Sequence, residues 1–143
     1  MNQKRKTTAA QQPRLLDESR AIRTSLLSDA LGKGGAMDHD MRCLSANCRM
    51  AGPAVTVRVH TADILMVGIT LSQCPKGSVL VIDGQGELNT ALWGEVTTLA
   101  ARLKGLQGVV IDGAAAVRLY IPETGSSGMK TERLSFLRSV WRW

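Results

Sequence analysis

Two short stretches of the chain carry residue types and spacings that could do chemistry. The first is Trp93-Gly94-Glu95-Val96-Thr97. A glycine inside a helical pattern costs roughly 1 kcal/mol relative to alanine. It therefore marks either close packing or a helix that begins near Gly94. In the second case the N–H groups of Glu95, Val96 and Thr97 lack intrahelical acceptors. With the positive end of the helix dipole they form an anion site of carboxylate size. Glu95 would stand beside that anion and could hold a divalent cation, directly or through water. The plainer alternative is an ordinary helix with Glu95 as a solvated surface charge. The second stretch is the glycine turn Asp83-Gly84-Gln85-Gly86, which follows an apolar run. Such a turn lets backbone approach a phosphate, and Asp112 could play the acid that holds a ribose in dinucleotide sites. Against this, the third glycine position of G-x-G-x-x-G is Asn89, and the helical pattern starts several residues late.

The remaining reactive residues form no such pattern. Cys43, Cys48 and Cys74 lack C-x-x-C spacing, and the only histidines are His39 and His60. Nothing near Cys43 has the look of a tetrahedral zinc site, so reduced thiols in a cytosolic protein are expected. His60 ends an alternating run and reads as a surface residue at a strand end.

The elements that must position these residues follow from apolar periodicity. Residues 1–20 are polar and without period, and read as disordered. TSLLSDALGKGG, from Thr24, predicts a short helix with a glycine stop. MRCLSANCRM (41–50) reads as a short strand with a turn. GPAVTVRVH (52–60) alternates Val55, Val57 and Val59 with polar residues, the period of a half-buried strand. ADILMVGITLSQC (62–74) is an apolar helix, and SVLVIDG (78–84) a continuous apolar strand of the kind covered on both faces. The spacing of Ala91, Leu92, Val96, Leu99, Ala100 and Leu103 predicts a helix over 89–105, with Gly105 as its stop. GVVIDGA (108–114) is a further buried strand, so the order implies parallel strands joined by helical crossovers.

Charge divides the chain into three. Residues 1–24 carry six Lys/Arg and two acids, 25–115 seven and eight, and 116–143 five and two. The middle is near neutral and both tails are basic. Basic tails without a nucleic-acid motif read as solvated segments that adhere to RNA or acidic surfaces only non-specifically. No run approaches the roughly 18–20 apolar residues of a membrane span. The N-terminal segment lacks the apolar core of a secretory signal, so a cytoplasmic location is expected. RLSFLRSVWRW (133–143) reads as a short basic amphipathic helix or a weakly ordered end.

Four pieces agree in order and spacing with a known family: SLLSDALGKGGAMD (25–38), MAGPAVTVRVHTAD (50–63), PKGSVLVIDGQGELNTALWGEVTTLAA (75–101) and GLQGVVIDGA (105–114). Over about residues 24–114 the chain resembles the regulator of RNase E activity A-like (RraA-like) superfamily. That superfamily includes the 4-hydroxy-4-methyl-2-oxoglutarate and 4-carboxy-4-hydroxy-2-oxoadipate aldolases. The resemblance implies an α/β fold, a swivelling-domain-like α/β/β/α sandwich that is C-terminally incomplete. It divides the chain into a basic leader (1–23), an RraA-like domain (24–114) and a divergent basic tail (115–143). It also implies a homotrimer or hexamer with sites between subunits, and a magnesium or manganese ion holding a 2-oxo acid. The amides of Glu95, Val96 and Thr97, with Gly94 before them, would grip the substrate carboxylate, and Glu95 would reach the metal through water. Aldol cleavage or decarboxylation of a 4-hydroxy-2-oxo acid, releasing pyruvate, is the implied reaction. The alternative is a non-catalytic regulator that binds a ribonuclease or an RNA helicase.

The family pattern breaks after Ala114. An Arg-Asp pair should follow, the arginine to stabilise the pyruvate enolate and the aspartate to ligate the metal. At direct spacing those positions are Ala116 and Val117. Arg118 stands two residues late, a shift of about 6–7 Å in extended chain, and Leu119 cannot bind a metal. Impaired activity is therefore expected. Frameshift, truncation or divergence of the last 28 or so residues would each explain the break.

Overall fold

The computed structural model describes residues 12–44, 49–61, 63–116 and 139–141. They fall in two compact units, 1–37 and 38–143. The first holds two helices, α1 (Gln12–Ala21) and α2 (Thr24–Ala30). The sequence predicts α2 but reads the α1 segment as disordered. Local charge pairs account for the difference. Arg14 meets Glu18 four residues on at 2.9 Å, and Arg20 meets Asp17 at 3.3 Å, spacings that support a helix without burying much of it.

The second unit is a five-stranded sheet with helices between its central strands. Its elements are β1 (Arg42–Cys43), β2 (Ala54–Arg58), α3 (Ile64–Gln73), β3 (Val79–Gly94), α4 (Glu95–Lys104), β4 (Gly108–Ala116) and β5 (Ser139–Trp141). The strand order is β1-β5-β4-β3-β2. β2, β3 and β4 are mutually parallel, as the alternation of strands and helices predicts, while β5 joins β4 antiparallel. Residues 139–141 are thus strand where the sequence suggests a helix or a loose end. The rest of that tail, with Arg118, lies outside the described residues.

Register sorts the side chains. Val55, Leu80 and Val109 form one row and Val57, Ile82 and Ile111 another on the same face. That face meets Val67 and Leu71 of α3 and Ala101 of α4 in the main core. Each fully buried aliphatic side chain there contributes about 1.5–3 kcal/mol. The opposite face carries Val79, Val81 and Val110 under Met41 and Met50. Asp63 opens α3 by accepting the Met66 amide at 3.2 Å, and Gly105 closes α4 in the left-handed conformation, φ +76.

The helix expected over 89–105 is shorter than its pattern. Residues 89–94 continue β3, and α4 begins at Glu95. Ala91 and Leu92 satisfy a helical period by coincidence, because Leu92 and Trp93 are buried as strand residues against β4. A second correction concerns the thiols. Cys43 is disulfide-bonded, where reduced cysteines are expected. Cys74 is free and buried, and burial pushes its pKa up.

Candidate carboxylate site at the start of α4

β3 delivers the site. It passes Asp83 in register with Arg58 and Asp112, bulges, and re-pairs with β4 as Ala91↔Ala114, Trp93↔Ala115 and Gly94↔Ala116. The bulge begins at the glycine turn. Asp83 accepts the Gln85 amide at 3.1 Å and pairs with Arg58 Nε at 2.6 Å, while Gln85 Nε2 donates to the Val59 carbonyl at 3.0 Å. The Arg58 hydrogen bond first, and the Gln85 amide second, hold the Asp83 carboxyl below the usual carboxylate range. Gln85 and Gly86 take positive φ, +58 and +70. Gly84 is required by packing, since a Cβ there would run into Leu92 Cδ1 and the Asp112 carbonyl. The turn therefore returns the chain to the sheet. No helix follows it, which removes the dinucleotide reading, and the Asp112 carboxylate shares its row with that of Asp83.

The helix start lies at the far end of β3. Gly94 is its N-cap, in extended backbone, and no side chain caps that end. Thr97 Oγ accepts the Gly94 N–H at 2.9 Å, and both Thr97 and Thr98 hydroxyls donate to the Gly94 carbonyl at 2.8 Å. Trp93 Nε1 donates to Thr98 Oγ at 2.7 Å. A glycine has no side chain to return a bond to the Thr97 amide, so only the threonine half of a capping box is present here. Glu95 and Val96 are exposed, and Thr97 is half-buried. Gly94, Glu95, Val96 and Thr97 thus meet at one helix end with the dipole positive toward solvent. The stretch singled out in the sequence runs from Trp93 to Thr97 and omits Thr98, whose bond to the Trp93 indole forms only once β3 runs on to Gly94.

Ala116, the position at which the resemblance leads one to expect an arginine, is the direct sheet partner of Gly94. A methyl group therefore stands beside the helix start.

For a metal, the described residues at this end offer one carboxylate, Glu95. That donor set fits an ion that keeps most of its waters and takes further oxygens from a ligand, as magnesium commonly does. It does not make a closed cage. Among the described residues one group of three ligand-type side chains lies together, Asp38, His39 and Asp40, within 4.8 Å and all exposed. There the two His39 nitrogens already face Asp38 and Asp40 at 3.1 and 3.2 Å.

The parallel α/β fold is shared with proteins of one family. The RraA-like family, described as aldolase/RraA, matches residues 24–118, and the chain belongs to it. Among curated relatives, a putative 4-hydroxy-4-methyl-2-oxoglutarate aldolase of Halalkalibacterium halodurans is 33% identical over 99 residues, covering 69% of this chain and 47% of its own length. Among solved structures, the RNA-processing inhibitor RraA from Thermus thermophilis is 36% identical with a TM-score of 0.59, covering 66% of this chain and 57% of that one. A protein of Geobacillus kaustophilus HTA426, titled S-adenosylmethionine: 2-dimethylmenaquinone methyltransferase, is 30% identical with a TM-score of 0.60, over 66% and 58%. The chain spans about half the length of these relatives. No helix among the described residues is long and apolar enough to cross a membrane.

Proposed function

We propose that the chain binds a 2-oxo acid by its carboxylate at the start of α4, and that it retains little of the pyruvate-releasing lyase activity of the aldolase branch. The observation that carries this reading is the uncapped helix start at Gly94 with Ala116 as its sheet partner. The amides of Glu95, Val96 and Thr97 would hold the carboxylate, aligning the 2-oxo group with the sheet edge. Glu95 would hold a divalent cation, Mg2+ or Mn2+, through water. When bound, that cation supplies Lewis-acid stabilisation of the charge that develops on the substrate oxygen. Cleavage of a 4-hydroxy-2-oxo acid leaves pyruvate enolate, and a positive group beside it is worth about 10²–10³ in rate where such stabilisers have been removed. Ala116 and Val117 supply neither that charge nor a metal ligand.

Pyruvate release from a 4-hydroxy-2-oxo acid with magnesium tests the reading, paired with calorimetric binding of oxalate, a planar mimic of the enolate. Oxalate binding with weak turnover is expected. Restoring the pair, as Ala116→Arg with Val117→Asp, should raise pyruvate release about 100-fold. No oxalate binding by the unaltered chain would sink the proposal.

A second reading has its own support in the likeness to the RNA-processing inhibitor and in the apolar residues that the helices leave exposed, Leu65 on α3 and Val96, Leu99 and Leu103 on α4. In this reading the chain binds a ribonuclease or an RNA helicase. Tight ribonuclease binding without oxalate binding would select it. The homotrimer or hexamer of the aldolase reading is tested by light scattering of the purified chain.

A further inference from the structure

We propose that the disulfide at Cys43 is a reducible latch on β5, so that its redox state decides whether β4 is an inner strand or an edge of the sheet. Cys43 is disulfide-bonded and Cys74 is free. Of the three cysteines this leaves Cys48, which lies outside the described residues, as the partner. The bond therefore starts from β1 and closes a loop between Met41 and Met50, which both pack on the apolar cluster of Val79 and Val110. A cross-link removes conformational freedom from the open chain. Here it restrains the stretch that carries β1.

That restraint passes to β5 through the sheet. β1 lies at one edge, and its pairing is with β5, as Arg42↔Ser139 and Cys43↔Val140. β5 pairs on its other flank with Val109, Val110 and Ile111 of β4. Val140 thus stands between Cys43 and Val110 in the ladder. Strands this short hold poorly when paired on one flank alone. The chain leaves β4 at Ala116 and re-enters the sheet at Ser139, so no tight turn ties β5 to β4, and closing so long a connection costs entropy.

The bond is placed to be reduced. Cys43 is exposed, and exposed disulfides are the labile ones. Arg42 precedes Cys43 and Arg49 follows Cys48, and positive charge beside a cysteine stabilises the thiolate that must leave. A small dithiol supplies the two electrons. Its thiolate attacks one sulfur and forms a mixed disulfide, while the other sulfur leaves as a thiolate and takes up a proton. The second thiol of the reductant then displaces the first chain sulfur. The reductant departs as a disulfide, and the chain holds two thiols. β1 loosens, β5 loses one of its two flanks, and the 109–111 row of β4 becomes an open sheet edge.

The test compares the whole chain before and after treatment with dithiothreitol, by deuterium exchange and mass spectrometry. Reduction should speed exchange over 139–141 and 109–111 about tenfold and leave the amides of α3 unchanged. Thiol titration of the denatured chain should count one thiol without reductant, Cys74, and three with it. In reductant, folded Cys43→Ser should exchange as the reduced unaltered chain does, and Cys74→Ser should keep the redox response. Equal exchange over 139–141 in the oxidised and reduced chains overturns the inference. So do three thiols in the unreduced denatured chain, or a response that disappears with Cys74→Ser. The oxidised and reduced forms of the unaltered chain decide the matter even where Cys43→Ser does not fold.

Discussion

Arg58 and Asp83 show how one residue pair ties two strands and a turn together. Their ion pair crosses from β2 to β3 at a register position, and the same carboxylate holds the Gln85 amide. Because the folded state lowers the Asp83 pKa, its contribution is fully present above the unfolded aspartate value of about 3.9. It is lost as pH falls through the folded value. Arg58 is 79% exposed and Asp83 37%, so solvent screens the pair and the contribution is at most about 1 kcal/mol. Asp83→Asn should therefore unfold slightly more easily than the unaltered chain at pH 7. The gap between them should close in acid, as urea midpoints measured down a pH series would reveal. A gap that stays constant into strong acid would refute the assignment. Cys74 gives a second residue-scale expectation. Buried at the end of α3 with a raised pKa, it should react slowly with a thiol reagent at pH 8 and fast once the chain is unfolded.

At the scale of elements, the sequence located the β2-α3-β3-α4-β4 order because each piece has one dominant period. β2 alternates, β4 is apolar apart from Asp112, and α3 buries Val67 and Leu71 four residues apart. It failed at residues 89–94, where a strand lies between apolar residues that also fit a helix. Nothing in composition distinguishes the two for so short a run. What decides is tertiary pairing with Ala114–Ala116, which local pattern cannot see. The start of α4 was legible only as one of two alternatives. Gly94 disfavours a helix interior, so it marked either close packing or a boundary, and the boundary is what the fold has. The stop of α4 was equally legible, and Gly105 provides the check. Its φ is +76, and the side chain of Lys76 lies as close as 3.0 Å to where a Cβ would stand. Gly105→Ala should destabilise the chain by about 1 kcal/mol in denaturant titration. An unchanged midpoint would show that the αL stop is relaxed at little cost.

For the molecule as a whole, two-sided cover of the central strands sets the order of stability. β3 and β4 have sheet partners on both flanks and side chains in both apolar clusters, so their amides should exchange slowest with solvent. The amides of α1, whose Leu15 is half exposed, should exchange among the fastest, as mass spectrometry of deuterated peptides would record. The outermost position of β2 has a different consequence, for solubility. Among the described residues no strand pairs with its outer flank, which leaves a row of N–H and C=O groups on a strand that alternates Val55 and Val57 with Thr56 and Arg58. That is a template onto which another strand could add. Pro53 at its entrance and the charge of Arg58 near its exit are what discourage such growth. Arg58→Val would remove the repulsion along with the ion pair, leaving three valines in a short, uncharged strand. Light scattering during warm incubation should then rise well before the chain loses its helical signal. Arg58 would in that case serve chiefly to keep neighbouring molecules apart.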